Sequence, residues 1–131
     1  MKVKYIDLIM AKEALNVVYG SDLDLLVSID VDKNVNLINK EMEYYITAEK
    51  KLVDKYVKKN EDGSVMFDDN GNLVFIDENS ANDFVSEHEK LNQKEVELDL
   101  ISIRPESISE VKIKPALVKN LYFLFDEVKE V

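Results

Sequence analysis

His88 is the only histidine in this chain of 131 residues, and histidine is the side chain best suited to acid–base catalysis near neutral pH. Glu87 and Glu89 flank it and could complete a general base or a pair of metal ligands. However, adjacent residues of a helix point in different directions, so neither glutamate can share a ligand with His88. Phe84 and Leu91 place His88 on an apolar helical stripe. A packed, half-buried histidine is therefore the favoured interpretation.

The sequence has none of the common motifs of nucleophilic catalysis or phosphate binding. It contains no cysteine, which excludes disulfides, thiolate nucleophiles and Cys-ligated metal centres. A Ser-His-Asp triad would have to use His88, and no Gly-x-Ser-x-Gly elbow is present to hold its serine. The three glycines are not clustered, so a phosphate-binding loop is not expected. We expect no enzymatic activity, no catalytic residue and no cofactor.

The segment from Asp68 to Asn72 has oxygen-bearing side chains around Gly71, as calcium loops do. Counted from Asp68, the glycine stands at position 4 instead of 6, and position 12 is Asn79 instead of glutamate. Turn chemistry explains the segment better, and no metal site is expected.

Two groups of carboxylates are the candidate partner-binding residues. Glu95, Glu97 and Asp99 alternate along the chain, and alternate residues of a strand lie about 6.6 to 6.8 Å apart on one face. Such a row could resemble a nucleic-acid backbone to a basic protein groove. A solvated strand face that protects an edge from aggregation explains the same alternation and is the favoured alternative. Asp68 and Asp69 form the second group.

The net charge of −10 comes from one part of the chain. Residues 61–110 contain 14 Asp and Glu against 3 Lys and Arg, whereas the other residues contain 13 acids and 14 bases. An acidic surface repels phosphate, so direct nucleic-acid binding is not expected. It attracts basic groups, which predicts a protein partner with a basic surface.

Length and composition indicate a single globular domain over residues 1–131, since 46% of the residues are hydrophobic and no Gly, Ser or Pro linker occurs. Asp7 falls where a signal peptide would be apolar, and no run approaches the roughly 18 apolar residues of a membrane span. We expect a cytoplasmic protein with no membrane partner.

The helical part is predicted over about residues 5–59. Its first helix, residues 5–19, carries an apolar stripe formed by Ile6, Ile9, Met10, Ala14, Val17 and Val18. Gly20 is a natural C-terminal stop, and Ser21 is expected to cap a second helix.

That second helix is predicted as one long element over residues 22–59, although Asp30, Asp32, Asn34 and Asn36 weaken its early part. Its apolar residues follow a heptad pattern with one polar interruption at Glu49. We call this the heptad row: Val31, Val35, Ile38, Met42, Tyr45, Glu49, Leu52 and Tyr56. The row is predicted to be either a core seam or an oligomer interface, with homodimerisation and intramolecular packing equally weighted.

A β-hairpin is predicted over residues 65–76. Asn70-Gly71 between two apolar runs indicates a type I′ turn, in which both central residues have positive φ. This register pairs Phe67 with Val74 and Val65 with Ile76.

Four elements are predicted after the hairpin, which gives an α+β fold with a long amphipathic central helix and shorter packing helices. They are a helix over about residues 80–92 capped by Ser80, a strand over 95–103, a short strand over 111–113 and a C-terminal helix over 115–128.

The order of these elements resembles a group of small, uncharacterised proteins encoded by tailed phages and prophages of Gram-positive bacteria. The resemblance rests on five segments: Glu13-Ala14-Leu15-Asn16, Lys51-Leu52-Val53-Asp54-Lys55-Tyr56, Glu61-Asp62-Gly63-Ser64, Asp69-Asn70-Gly71-Asn72 and Glu95-Val96-Glu97-Leu98-Asp99. It implies a mobile-element origin and expression in the cytoplasm of a bacterial host, and it transfers no catalytic residue.

Two hypotheses follow. The first is a non-enzymatic accessory protein that binds a host or phage protein and modulates it, with inhibition of a defence or nucleic-acid-processing system as one form. The alternative is an oligomeric structural or assembly protein of the phage particle, in which the long helix forms the oligomer through Val35, Ile38, Met42 and Tyr45.

Overall fold

The longest element is a helix of 32 residues, and the other elements are short. The computed structural model describes residues 1–125. In chain order the elements are β1 (Lys2–Lys4), α1 (Tyr5–Tyr19), α2 (Leu25–Tyr56), α3 (Glu78–Asn92), β2 (Glu95–Glu97), a 3₁₀ helix (Pro105–Ile108), α4 (Pro115–Val118) and a second 3₁₀ helix (Lys119–Leu124). The predicted α+β class with a long amphipathic central helix is confirmed.

Helix α2 is continuous, without a break at the polar residues near its start, but it is shorter than predicted at both ends. Ser21 does not cap it, because the Ser21 hydroxyl donates to Val17 O at 2.6 Å, in the last turn of α1. At the other end, Val57 and Lys59 have left the helix and form β-bridges.

The chain folds into two compact units. The first unit comprises Met1–Glu41 together with the chain from Glu95 onward, and the second comprises Met42–Lys94. The prediction that residues 1–131 form a single domain stays a prediction.

In the first unit, β1 and β2 form an antiparallel pair, with Val3 opposite Val96. Helix α1 follows β1 directly and packs against α4 and the second 3₁₀ helix. The predicted stripe of α1 is only partly right: Ala14 and Val18 are buried, but Met10 is 51% exposed. The buried residues are Tyr5, Leu8, Ala11, Ala14, Leu15 and Val18. Because most residues of α1 are apolar, periodicity did not decide which face is covered.

The strand predicted over 95–103 extends only to Glu97. Beyond it, the Ile101 peptide is held by a side chain instead of a strand. The Asn34 amide is fully buried; its Oδ1 accepts from Ile101 N at 2.7 Å and its Nδ2 donates to Ile101 O at 2.8 Å. Asn34 therefore imitates a neighbouring strand, which satisfies two backbone groups that have left the sheet.

The helix predicted over 115–128 begins at Pro115 as predicted, but only its first four residues are α-helical and the helical segment ends at Leu124. After the four residues of α4 the chain tightens into the second 3₁₀ helix, whose three-residue turn brings the buried Leu121 and Leu124 to one face. Leu124 O accepts from Ile103 N at 2.7 Å, and the extended Phe125 pairs with Ile103 in a parallel bridge. Residues 126–128 of the prediction lie outside the described residues.

The short strand predicted at residues 111–113 is also wrong, because this segment is neither strand nor bridge.

In the second unit, the two segments of the predicted hairpin, residues 65–67 and 73–75, pair with each other and with a third segment, residues 57–59. Lys58 N donates to Val74 O, Val74 N to Met66 O and Met66 N to Lys58 O, at 2.8, 3.1 and 3.0 Å. Each segment is thus bonded to both others, which closes a ring of three hydrogen bonds.

The predicted hairpin register is wrong by one residue. Phe67 pairs with Leu73, and the positive φ belongs to Gly71 alone at 81°, so the turn is not type I′. The Asp68 carboxylate explains the difference, because its Oδ1 accepts from the backbone N of Asn70 and of Asn72, both at 2.9 Å. This side chain organises a longer turn than two residues.

Helix α3 starts earlier than predicted. Its N-cap is Asp77, not Ser80, because Asp77 Oδ1 accepts from Ser80 N at 2.7 Å. The backbone N–H of Ser80, which stabilises the carboxylate, lowers the pKa of Asp77.

The heptad row is covered to different degrees along α2 in a single copy of the chain. Val31, Ile38, Tyr45 and Tyr56 are buried, and the other four members are half-buried.

Loss of the Asn34 amide should destabilise the fold. We expect Asn34→Ala to lower the free energy of unfolding by about 1 to 3 kcal/mol, because the substitution leaves Ile101 N and O without the partner that satisfies them. Urea denaturation measures this change. Asn36→Ala is the matched control, since Asn36 is exposed on the same helix and alanine is the better helix former. Equal stability of the two variants would contradict the assigned role.

Candidate functional site

The predicted acidic strand lies directly against a basic one. In the register of the pair, Glu95 faces Lys4 and Glu97 faces Lys2, and opposite charges across an antiparallel pair attract each other. The Met1 amino group also donates to Glu97 Oε1 at 2.7 Å. That hydrogen bond, together with the charges of the amino group and Lys2, lowers the pKa of Glu97. The charge of Glu97 is therefore balanced within the first unit, and Glu95 lies opposite a lysine in the register.

The five predicted partner-binding residues do not form one group within either unit. Asp99 is exposed in the first unit, two residues after β2, on backbone that is no longer strand. Asp68 and Asp69 belong to the second unit. The carboxylate row of the prediction is thus limited to Glu95 and Glu97.

Asp68 and Asp69 lie in an exposed turn beside an exposed aromatic ring. Phe67 precedes them and is 60% exposed. Among residues 1–125, neither aspartate takes part in an ion pair. We call Phe67, Asp68 and Asp69 the ribbon tip. It offers an apolar contact and two unbalanced negative charges within three consecutive residues.

His88 belongs to a polar cluster between α3 and the C-terminal half of α2, inside the second unit. Its Nε2 lies 2.9 Å from Glu49 Oε2 and 3.2 Å from the Tyr45 hydroxyl oxygen, and that hydroxyl donates to Asn92 Oδ1 at 2.6 Å. An ionised carboxylate only accepts, so Nε2 must carry the hydrogen of the Glu49 contact. The His88 ring stacks on Phe84 with centroids 5.5 Å apart. The hydrogen bond with His88 explains why a polar residue, Glu49, interrupts the apolar heptad row.

This geometry does not match a histidine general base held by a carboxylate. In that arrangement the carboxylate binds one ring nitrogen and the other nitrogen faces the proton to be removed. Here Glu49 and Tyr45 both contact Nε2. The arrangement is typical of a hydrogen-bonded connection between two helices.

The sequence interpretation missed a cluster of exposed apolar residues in the first unit, where α1 ends and α2 begins. Leu25 and Leu26 are each 75% exposed, Ile29 is 44% exposed and Tyr19 is exposed as well. Residues three and four apart share a helix face, so Leu25, Leu26 and Ile29 are neighbours on α2. We call Tyr19, Leu25, Leu26 and Ile29 the apolar corner. Its signal in the sequence is that these α2 residues fall outside the heptad row.

No three His, Asp or Glu side chains within residues 1–125 are placed to hold a metal ion together. In the same part of the chain, no helix combines the length and the apolar content that crossing a membrane requires.

Comparison of the chain with protein-family models, with curated proteins and with solved structures gives no match in any of the three.

The polar cluster should make the protein less stable at alkaline pH. Burial, followed by the charge of Glu49 and a hydrogen bond with it, raises the pKa of Tyr45 from 10.0 to about 12. The unfolded chain then loses this proton first. The stability that the neutral phenol contributes is complete below pH 10 and is lost as the pH rises from 10 through 12.

We therefore expect the stability difference between the wild type and Tyr45→Phe to shrink by about 1 kcal/mol between pH 8 and pH 11. Urea denaturation of both proteins at each pH measures it. Tyr44→Phe is the control, because Tyr44 lies next to Tyr45 and is 63% exposed. A difference that is the same at both pH values would show that Tyr45 is not held in this environment.

Proposed function

We propose that the protein is a non-enzymatic, acidic accessory protein that binds another protein through a basic surface of that partner and changes its activity. The ribbon tip is the observation that carries this proposal. An exposed phenylalanine next to two unbalanced carboxylates combines an apolar contact with charges that attract a basic surface. Glu97, which is paired with the Met1 amino group, is no longer a leading candidate.

Binding, as opposed to catalysis, also fits the surroundings of His88. Its Nε2 is shared by Glu49 and Tyr45, and its ring is stacked on Phe84. Direct binding of nucleic acid is not part of the proposal, since the exposed carboxylates would repel phosphate.

The resemblance to phage and prophage proteins places this activity, within the proposal, in the cytoplasm of a bacterial host. A host or phage protein of a defence or nucleic-acid-processing system is the kind of target we propose. Such proteins offer basic surfaces because their own ligands are polyanions.

Charge substitution at the ribbon tip tests the proposal. We expect affinity capture from a bacterial host lysate at low salt to retain a specific protein, and Asp68→Asn with Asp69→Lys to reduce its yield at least about tenfold, since steering by charge is lost. Asparagine at position 68 keeps the Oδ1 acceptor on which the turn depends.

The matched control is Glu43→Gln with Glu61→Lys, two exposed acids of the same unit with the same change in net charge. Equal capture by the ribbon-tip variant and the wild type would contradict the proposal.

The alternative, an oligomeric structural protein of the phage particle, has weaker support. Val31, Ile38 and Tyr45 are 1%, 5% and 6% exposed in a single copy, so a second copy could reach this part of the heptad row only after rearrangement. We expect light scattering at micromolar concentration to give the mass of one chain, 15.1 kDa. A stable dimer or larger species would favour the alternative.

A further inference from the structure

We propose that the apolar corner of the first unit binds a basic, amphipathic α-helix of another protein. The corner is a different surface from the ribbon tip and belongs to the other unit, so this inference does not rest on the ribbon tip. Proteins rarely expose several large apolar side chains next to each other unless the patch meets a partner. Leu25 and Leu26, at 75% exposure each, are the most exposed large apolar residues of the described chain.

An open cavity of about 350 Å³ lies beside the corner and can receive a side chain. Tyr19 and Ile29 of the corner line it, and Leu23 and Val31 add apolar wall. Asp32 contributes a carboxylate to the same lining. Ser21 and Ser28 also line the cavity. A partner residue entering here would meet a mixed apolar and polar wall and one negative charge. An apolar anchor side chain next to a Lys or Arg in the partner fits both features.

The charges around the corner are almost all negative. Asp22, Asp24 and Asp32 are exposed, and Lys33 is the only base between residues 19 and 33. Within the described residues, none of these three aspartates takes part in an ion pair. A partner with Lys or Arg beside its apolar residues would neutralise them.

The same charges argue against a second copy of this chain as the occupant. In a two-fold symmetric contact each residue meets the same surface patch of the other copy. The aspartates of the two copies would then approach each other, and like charges at an interface are unfavourable.

The backbone at the corner favours a helical occupant over an extended one. Strand addition needs an unpaired strand edge, whereas here the backbone belongs to α1 and α2, with Ser28 N already donating to Asp24 O at 2.9 Å. Binding must therefore use side chains. An amphipathic helix presents apolar residues at spacings of three and four, which matches the spacing of Leu25, Leu26 and Ile29.

The test uses the full-length protein and a synthetic 18-residue helical peptide with leucines on one face and lysines on the other. We expect calorimetry at low salt to give a micromolar Kd. A peptide of the same composition in scrambled order keeps the charge but loses the apolar face, and it should bind at least about tenfold more weakly.

Substitution of the corner should abolish most of this binding. We expect Leu25→Ala with Leu26→Ala and Ile29→Ala to weaken the Kd at least tenfold to about a hundredfold, because the apolar contact is removed. Exposed leucines contribute little to folding, and circular dichroism checks that helix content is kept. The matched control is Tyr44→Ala with Val85→Ala, two exposed apolar residues of the second unit, which should bind like the wild type.

A separate variant tests the aspartates around the apolar corner. Asp24→Asn with Asp32→Asn should weaken binding severalfold and reduce its salt dependence, whereas Glu43→Gln with Glu61→Gln should not.

Three outcomes would overturn the inference: equal binding of the ordered and scrambled peptides, unchanged binding by the corner variant, or dimerisation of the wild type that the corner variant abolishes. The ribbon-tip capture experiment would be unaffected by any of them.

Discussion

The hydrogen bonds between the Asn34 amide and the Ile101 peptide are the interaction on which the first unit depends most. Ile101 lies where β2 has already ended, and its partly buried backbone groups would otherwise lack this partner. A fully buried amide on α2 supplies both a donor and an acceptor in the geometry of a strand. Ile103, two residues further on, forms a bridge to Phe125, directly after the end of the second 3₁₀ helix.

The second unit also has backbone groups outside regular strands, and it supplies their hydrogen-bond partners by a different arrangement. In its three short segments, residues 57–59, 65–67 and 73–75, the backbone groups of Lys58, Met66 and Val74 bond to one another in a closed ring. Its helices are connected by polar side chains, because His88 of α3 reaches Glu49 and Tyr45 of α2. The side chains of Glu49 and His88 are partly buried, and each has a hydrogen-bond partner, because an unpaired polar group in such a place would be costly.

Charge compensation separates the carboxylates that stabilise the fold from those that remain available to a partner. Glu97 is paired with an amino group and faces Lys2, and Asp77 accepts a backbone hydrogen bond from Ser80 N. Asp68 accepts two backbone hydrogen bonds as well, but it has no ion-pair partner within the described residues. Among the exposed carboxylates that take part in no ion pair within the described residues, those of the ribbon tip and of the apolar corner lie beside exposed apolar side chains. This combination is the physical basis of both proposals.

The sequence by itself determined the α+β class, the long helix and the existence of most elements, because helical periodicity, alternation and turn residues are local signals. The apolar neighbours of His88 were also visible in the pattern, and the half-buried histidine that they predicted is found. Tertiary structure alone decided which residues contact each other. The lysines opposite Glu95 and Glu97 come from the other end of the chain, and Asn34 was interpretable only as a weak helix former until Ile101 lay beside it. The face of α1, the hairpin register and the exposure of Leu25 and Leu26 depend likewise on contacts between distant residues, which no local pattern encodes.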